Sequence, residues 1–264
     1  QPRVLCLYLW EILLPLPRHM PFFYDWVQPS RGWLHPWTTL PALAVVMGLL
    51  ALAWCWRVRR PLFALGVFLF FGAHFIASNV VGLELAFEHR NHFALIGVVL
   101  AVGSLLAEAG QRLSLRPLVQ AGVYAVLLVA LGSATAMRAR DWRSNVSLAK
   151  AGTQAAPGSA RAWVELCDAY FNAGGGVQAR PNRHLDDAIH ACASGADAVP
   201  DSLNSLVLLT VLKTVRGDVS VQDWARMQAR LNTARMSWDN ARAPLILTYY
   251  AGLGVSLERQ QVLQ

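Results

Sequence analysis

Four long apolar runs fall in the first half of the chain, and no other feature limits its fold as much. They are Thr38 to Trp56, Leu62 to Val81, His92 to Glu108 and Leu118 to Met137. A hydrocarbon core of about 30 Å, climbed at about 1.5 Å per residue, needs about 20 residues of this kind in a helix. The runs therefore predict a multi-span helical bundle over residues 1–137. Val4 to Leu14 is also apolar, but it carries Glu11 and ends at Pro15-Leu16-Pro17, so it reads as the tail of a longer helix or as an interfacial segment. The loop Arg18 to Pro36 and its flank hold Phe22, Phe23, Tyr24, Trp26, Trp33 and Trp37, the residue types that settle at headgroup level.

Charge divides the chain in the same way. Residues 1–137 hold nine arginines, no lysine and five acidic residues, whereas 138–264 hold fourteen basic and eleven acidic residues. The net charge of +7 is spread over both halves, with no basic run longer than Arg57-Val58-Arg59-Arg60. That is membrane-flank charge, and it gives no footprint for nucleic acid. Arg57, Arg59, Arg60, Arg112 and Arg116 lie in loops on one side of the spans, and Arg18, Arg31 and Arg90 on the other. The positive-inside rule makes the first set cytoplasmic, and so places the second half outside the cytoplasm. Arg138, Arg140 and Arg143 flank the last span on the opposite side and bring the two counts nearly level.

After Arg138 the pattern becomes amphipathic helices punctuated by Pro and Gly: Asp141 to Ala155, Ala160 to Asn172 behind Pro157-Gly158-Ser159, Leu185 to Ala196, Pro200 to Val215, Val221 to Thr233, and Ala243 to Leu253. Paired helices between turns give the rhythm of a degenerate tetratricopeptide-like repeat domain over 138–264, although Pro157 to Pro200 exceeds the 34-residue norm. The fold class is thus all-α. Trp142, Trp163, Tyr170, Trp224 and Trp238 are expected to pack helix against helix. Cys167 and Cys192, 25 residues apart, could bridge neighbouring helices if this half is exported; the alternative is two buried thiols acting as small hydrophobes. No cysteine or histidine spacing suits a metal. The first residue is Gln, no signal-peptide pattern is visible, and further sequence is expected upstream. Arginine-rich, lysine-poor usage suggests a bacterial source, and hence an inner membrane.

The stretch from Ser78 to Asn91 joins two spans and carries Glu84, Glu88, His89, Arg90 and Asn91. Such groups are costly between lipid-spanning helices, so a use for them is the default reading. Glu84 and Glu88 are four apart, which a helical turn would put on one face, with Arg90 free to pair with either or to hold an anionic headgroup. The bland reading is a polar interfacial loop ordered by a Glu-Arg pair. His74 lies inside the second span without an acidic neighbour in sequence and reads as a satisfied bundle histidine. Glu11 reads equally as an intramembrane functional acid or as a residue reaching headgroups.

Arg3 to Leu9 followed by Leu13-Leu14-Pro15, then Tyr24-Asp25-Trp26, then Glu88-His89-Arg90-Asn91 ahead of a new span, then repeat-like helices, form an order of parts. It resembles the C-terminal membrane portion of transmembrane, tetratricopeptide-repeat O-mannosyltransferase-like proteins and their bacterial relatives. The resemblance implies the C-type glycosyltransferase fold and a polyprenyl-phosphate-linked sugar as donor. It also implies a catalytic acid in an extracytoplasmic loop that would precede Gln1. Glu84, Glu88, His89, Arg90 and Asn91 would then lie near the lipid phosphate or the sugar, with Arg90 the natural phosphate partner. Asp25 would line the same cavity, or else serve as a turn residue at the membrane face. Family members follow the Glu-His-Arg stretch with a Tyr-Leu-Pro-Ser-like run; here Asn91 leads into His92-Phe93-Ala94-Leu95 without the proline. The repeat domain would hold a protein acceptor or partner. The competing expectation is a non-catalytic membrane anchor presenting a helical scaffold for protein partners.

Overall fold

The computed structural model describes residues 1–16, 19–79, 85–179, 181–237 and 239–262. Arg18, Val80, Val81, Glu84 and Trp238 lie outside them, as does the side chain of Glu88. All regular structure among the described residues is helical, and the chain divides into two compact units, Gln1–Ala139 and Arg140–Gln264. That boundary falls two residues from the one the composition change suggests.

The first unit holds α1 (Pro2–Leu13), α2 (Thr39–Trp56), α3 (Pro61–Asn79), α4 (Asn91–Arg112) and α5 (Pro117–Asp141). Among the described residues, α2, α4 and α5 are long and apolar enough to cross a membrane; the apolar stretch of α3 that can be traced, Pro61–Phe75, is shorter. The run beginning at His92 extends four residues beyond Glu108, to Arg112, because Ala109 and Gly110 continue the helix until Ser114 turns it with positive φ. Helices α3 and α4 pack closest. A Cβ built on Gly97 would overlap the Gly66 carbonyl oxygen, and one on Gly66 would overlap the Gly97 carbonyl likewise, so only glycine permits this approach. Close backbone contact between small residues is the usual adhesive between helices where lipid removes the hydrophobic driving force. Helix α1 packs on α2 and α4, burying Val4, Tyr8 and Glu11 at helical spacing, so the segment is a helix with one inward face. No residue of α5 is buried.

The second unit holds α6 (Asn145–Ala155), α7 (Ala160–Ala173), α8 (Leu185–Ala198), α9 (Asn204–Arg216), α10 (Val221–Thr233), α11 (Ala243–Gly252) and α12 (Arg259–Val262). Ser144, Ser159 and Ser220 cap α6, α7 and α10 by accepting from Ser147 N, Ala162 N and Asp223 N. The Ser144 cap interrupts the helix expected from Asp141 to Ala155. Helix α9 is buried from Asn204 to Leu212 and packs against α7, α8, α10 and α11. Helices α7, α9 and α11 start at residues 160, 204 and 243, that is 44 and 39 residues apart, longer than a tetratricopeptide repeat. Asn240 secures two turns at once: Nδ2 donates to the Asp201 and Arg235 carbonyls at 2.9 Å, and Oδ1 accepts from Leu203 N at 2.9 Å. Trp224 is buried and Trp163 packs on the core, but Trp142 is exposed, in the three-residue break before α6. Cys167 of α7 and Cys192 of α8 form a disulfide, with Cα atoms 5.3 Å apart.

Candidate functional site

The buried polar groups of the first unit gather around α1, α3 and the start of α4. Glu11 and His74 are each only 1% exposed, and Asn91 is also buried. Each arrives by a different element. Glu11 continues the inward stripe of α1, one turn beyond Tyr8. His74 stands four residues after Phe70 on α3, so the two share a face. A single 3-10 turn, Glu88–Arg90, then delivers Arg90 and Asn91 at the mouth of α4.

Their hydrogen bonds can be followed atom by atom. The Tyr24 hydroxyl donates to Glu11 Oε1 at 2.9 Å. The Tyr8 hydroxyl donates to the Phe87 carbonyl at 3.2 Å, accepts from Phe87 N at 2.7 Å, and lies within hydrogen-bonding reach of the Arg90 guanidinium. A phenol has one proton to give and two lone pairs, so these three contacts use it completely. The Tyr8 ring stacks on His74 with centroids 5.1 Å apart. His74 Nδ1 lies 3.0 Å from the Phe70 carbonyl, which can only accept, so Nδ1 carries the proton. Its Nε2 lies 3.1 Å from the Asn91 side-chain amide. A neutral ring takes a proton there from the amide NH2; a charged ring gives one to the amide oxygen.

Arg90 differs from its neighbours. Its Nε is buried and has no hydrogen-bond partner among the described residues. A guanidinium is permanently charged, and a buried N–H left open is expensive unless an anion completes it. The cluster therefore offers a cationic donor, two phenols, a carboxylate and an imidazole at one end of an apolar bundle, which suits binding a phosphate or polarising a sugar hydroxyl.

Of Glu84, Glu88, His89, Arg90, Asn91 and Asp25, the residues that the sequence singles out, Arg90 and Asn91 join this cluster. His89 is exposed, with its ring against Phe87, and Asp25 is exposed beside buried Tyr24. Leu85 to Phe87 is not helical and the chain enters the 3-10 turn at Glu88; Glu84 and the Glu88 side chain lie outside the described residues. From the sequence alone, Tyr8, Tyr24 and His74 are given no role in a site. His74 is the satisfied histidine its context suggests, yet it holds Asn91 beside Arg90. Comparison with family models, curated proteins and solved structures finds no match.

Proposed function

We propose that the chain is the C-terminal part of an integral membrane glycosyltransferase-like protein. Its first unit takes the phosphate of a polyprenyl-phosphate-linked sugar at Arg90, and its second unit, a tetratricopeptide-like domain outside the cytoplasm, receives the protein acceptor. The observation that carries this reading is the buried Nε–H of Arg90, without a hydrogen-bond partner among the described residues, near Tyr8, Glu11 and His74. A phosphate monoester or diester presents two coplanar oxygens to a guanidinium fork, and low surrounding polarity strengthens the contact. Glu11, held by Tyr24, sets the local balance of charge against Arg90, while the hydrogen bond to His74 fixes the Asn91 amide. In the resembled family the catalytic acid stands in a loop preceding the parts that carry the resemblance, and the role proposed for Arg90 and its neighbours is to bind and orient the donor. The Cys167–Cys192 disulfide supports the extracytoplasmic assignment of the second unit, because such bonds persist in oxidising compartments.

The test compares wild-type protein with Arg90→Ala and Arg90→Lys in membranes supplied with radiolabelled polyprenyl-phosphate sugars. Transfer, or donor retention, that falls in Arg90→Ala and recovers only partly in Arg90→Lys supports the reading. Folded wild-type protein that neither retains nor transfers any donor sinks it and favours a non-catalytic scaffold.

A further inference from the structure

The opposite end of the α3–α4 pair carries a second polar construction that the proposed sugar-phosphate site does not use. The α2–α3 turn holds Arg57, Arg59 and Arg60, and the α4–α5 turn runs from Arg112 to Arg116. Glu108 is the one acidic residue in 26–83 or 89–140, so these five arginines share a single carboxylate. Arg60 and Arg112 converge on one oxygen of it: their Nη2 atoms lie 2.8 and 2.6 Å from Glu108 Oε1. Each guanidinium keeps four further N–H donors. Two forks held side by side by one carboxylate oxygen, inside a cluster with excess positive charge, present donors suited to an anion.

The surroundings specify which anion. The Arg60 guanidinium lies over the Trp56 ring and that of Arg57 over Trp54, at 4.0 and 4.2 Å from the centroids. Tryptophan and arginine together mark the headgroup layer. Val58 and Leu113 in these turns and Leu118 in the first turn of α5 are exposed, which suits the acyl boundary rather than water. A ligand here meets guanidinium groups at its head and apolar side chains beside it.

We propose that the Arg60–Glu108–Arg112 triad is a binding site for the phosphodiester headgroup of an anionic glycerophospholipid. The non-bridging phosphate oxygens take the free donors of Arg60 and Arg112, Arg59 and Arg116 add long-range attraction, and the acyl chains lie along the apolar helices. Glu108 sets the spacing of the two forks and limits their mutual repulsion.

The full chain, purified and stripped of lipid in neutral detergent, is titrated with phosphatidylglycerol and separately with phosphatidylcholine, and the bound lipid is counted by native mass spectrometry. Wild-type protein is expected to prefer phosphatidylglycerol by about tenfold or more. The preference should vanish in R60Q/R112Q and fall by about twofold to threefold in R59Q/R116Q, whose arginines act only at a distance and are screened. The second variant disturbs neither Glu108 ion pair, so it decides the matter if the first fails to fold: a fall supports the site and an unchanged preference overturns it. Equal binding of the two lipids by wild type also overturns the proposal. Displacement of phosphatidylglycerol by millimolar inorganic phosphate overturns the lipid assignment and points to a soluble phosphate ligand.

Discussion

Replacing Gly97 by alanine adds one methyl group where α3 and α4 cross. Its carbon would overlap the Gly66 carbonyl oxygen and stand 2.8 Å from Phe70 N and 3.3 Å from Phe70 Cα, all of them backbone atoms of α3. No side chain can rotate away, so the helices must separate. Ordinary contact begins at 3.4 Å, and clearing the carbonyl oxygen requires a displacement of about 1 Å. Overpacking of this kind costs about 1–3 kcal/mol. The same displacement reaches the site, because the Phe70 carbonyl accepts from His74 and Asn91 lies six residues before Gly97, about 9 Å along α4. A 3.1 Å bond between His74 and Asn91 would open to about 4 Å, beyond hydrogen-bonding range. Gly66→Ala acts on the same crossing from the other side, so the double variant should cost clearly less than the two single costs combined. Gly103→Ala is the control, since nothing lies within 4 Å of its added carbon. The assay is thermal unfolding in detergent micelles, followed by the loss of a monodisperse peak on gel filtration. Gly97→Ala should melt several degrees below Gly103→Ala; equal melting of the two, or full additivity with Gly66→Ala, would refute the reasoning.

Three further predictions concern the second unit. Reducing the Cys167–Cys192 disulfide releases a loop of 25 residues, and chain entropy puts the loss at about 3 kcal/mol, readable as a lower denaturation midpoint in reductant that a Cys167→Ala/Cys192→Ala variant reproduces without it. Asn240→Ala strands the Leu203 N–H and two carbonyls, Asp201 and Arg235, and should cost about 3 kcal/mol in chemical denaturation. Burial pushes the Asp168 carboxyl above its usual range, with the Tyr250 hydroxyl bond at 3.2 Å opposing it only in part. A folded-state pKa above the unfolded one means that Asp168 contributes most at acid pH, below its unfolded pKa. That contribution is lost as pH rises through the raised folded value. Asp168→Asn keeps the acceptor and removes the charge, so it should raise the melting temperature at pH 7.5 and leave it unchanged near pH 3; a gain of the same size at both would refute the assignment.

Where a signal is local, the sequence carries it well. Helix α10 runs from Val221 to Thr233 as its pattern predicts, because Ser220 and Asp223 form a reciprocal cap whose residues are close in sequence. Ser159 likewise marks the start of α7. The break before α6 escapes the pattern because its cap partner at the third position is Ser147, not the Glu or Gln that usually signals one. The exposed Trp142 lies in that same break. In the candidate site, Arg90 and Asn91 stand out as polar groups beside a span. Tyr8, Tyr24 and His74 do not, since residues 8, 24, 74 and 87 meet only after α1 has folded back onto the bundle. One cue is present: Val4, Tyr8 and Glu11 fall on a single helical stripe, and an acid in line with buried neighbours is an acid facing inward.

The glycine crossing also has a mechanical meaning. On α4, Gly97 lies six residues from Asn91 and eleven from Glu108, so the crossing divides the helix into arms of about 9 and 16 Å. Phe63, Ala64, Val67 and Phe70 of α3 and Ala94, Val98 and Ala101 of α4 are buried on both sides of the crossing, so the two arms are seated along their length. The amide beside Arg90 and the carboxylate between Arg60 and Arg112 are thus carried by one helix, whose height against its neighbour is set by two residues that own no side chain.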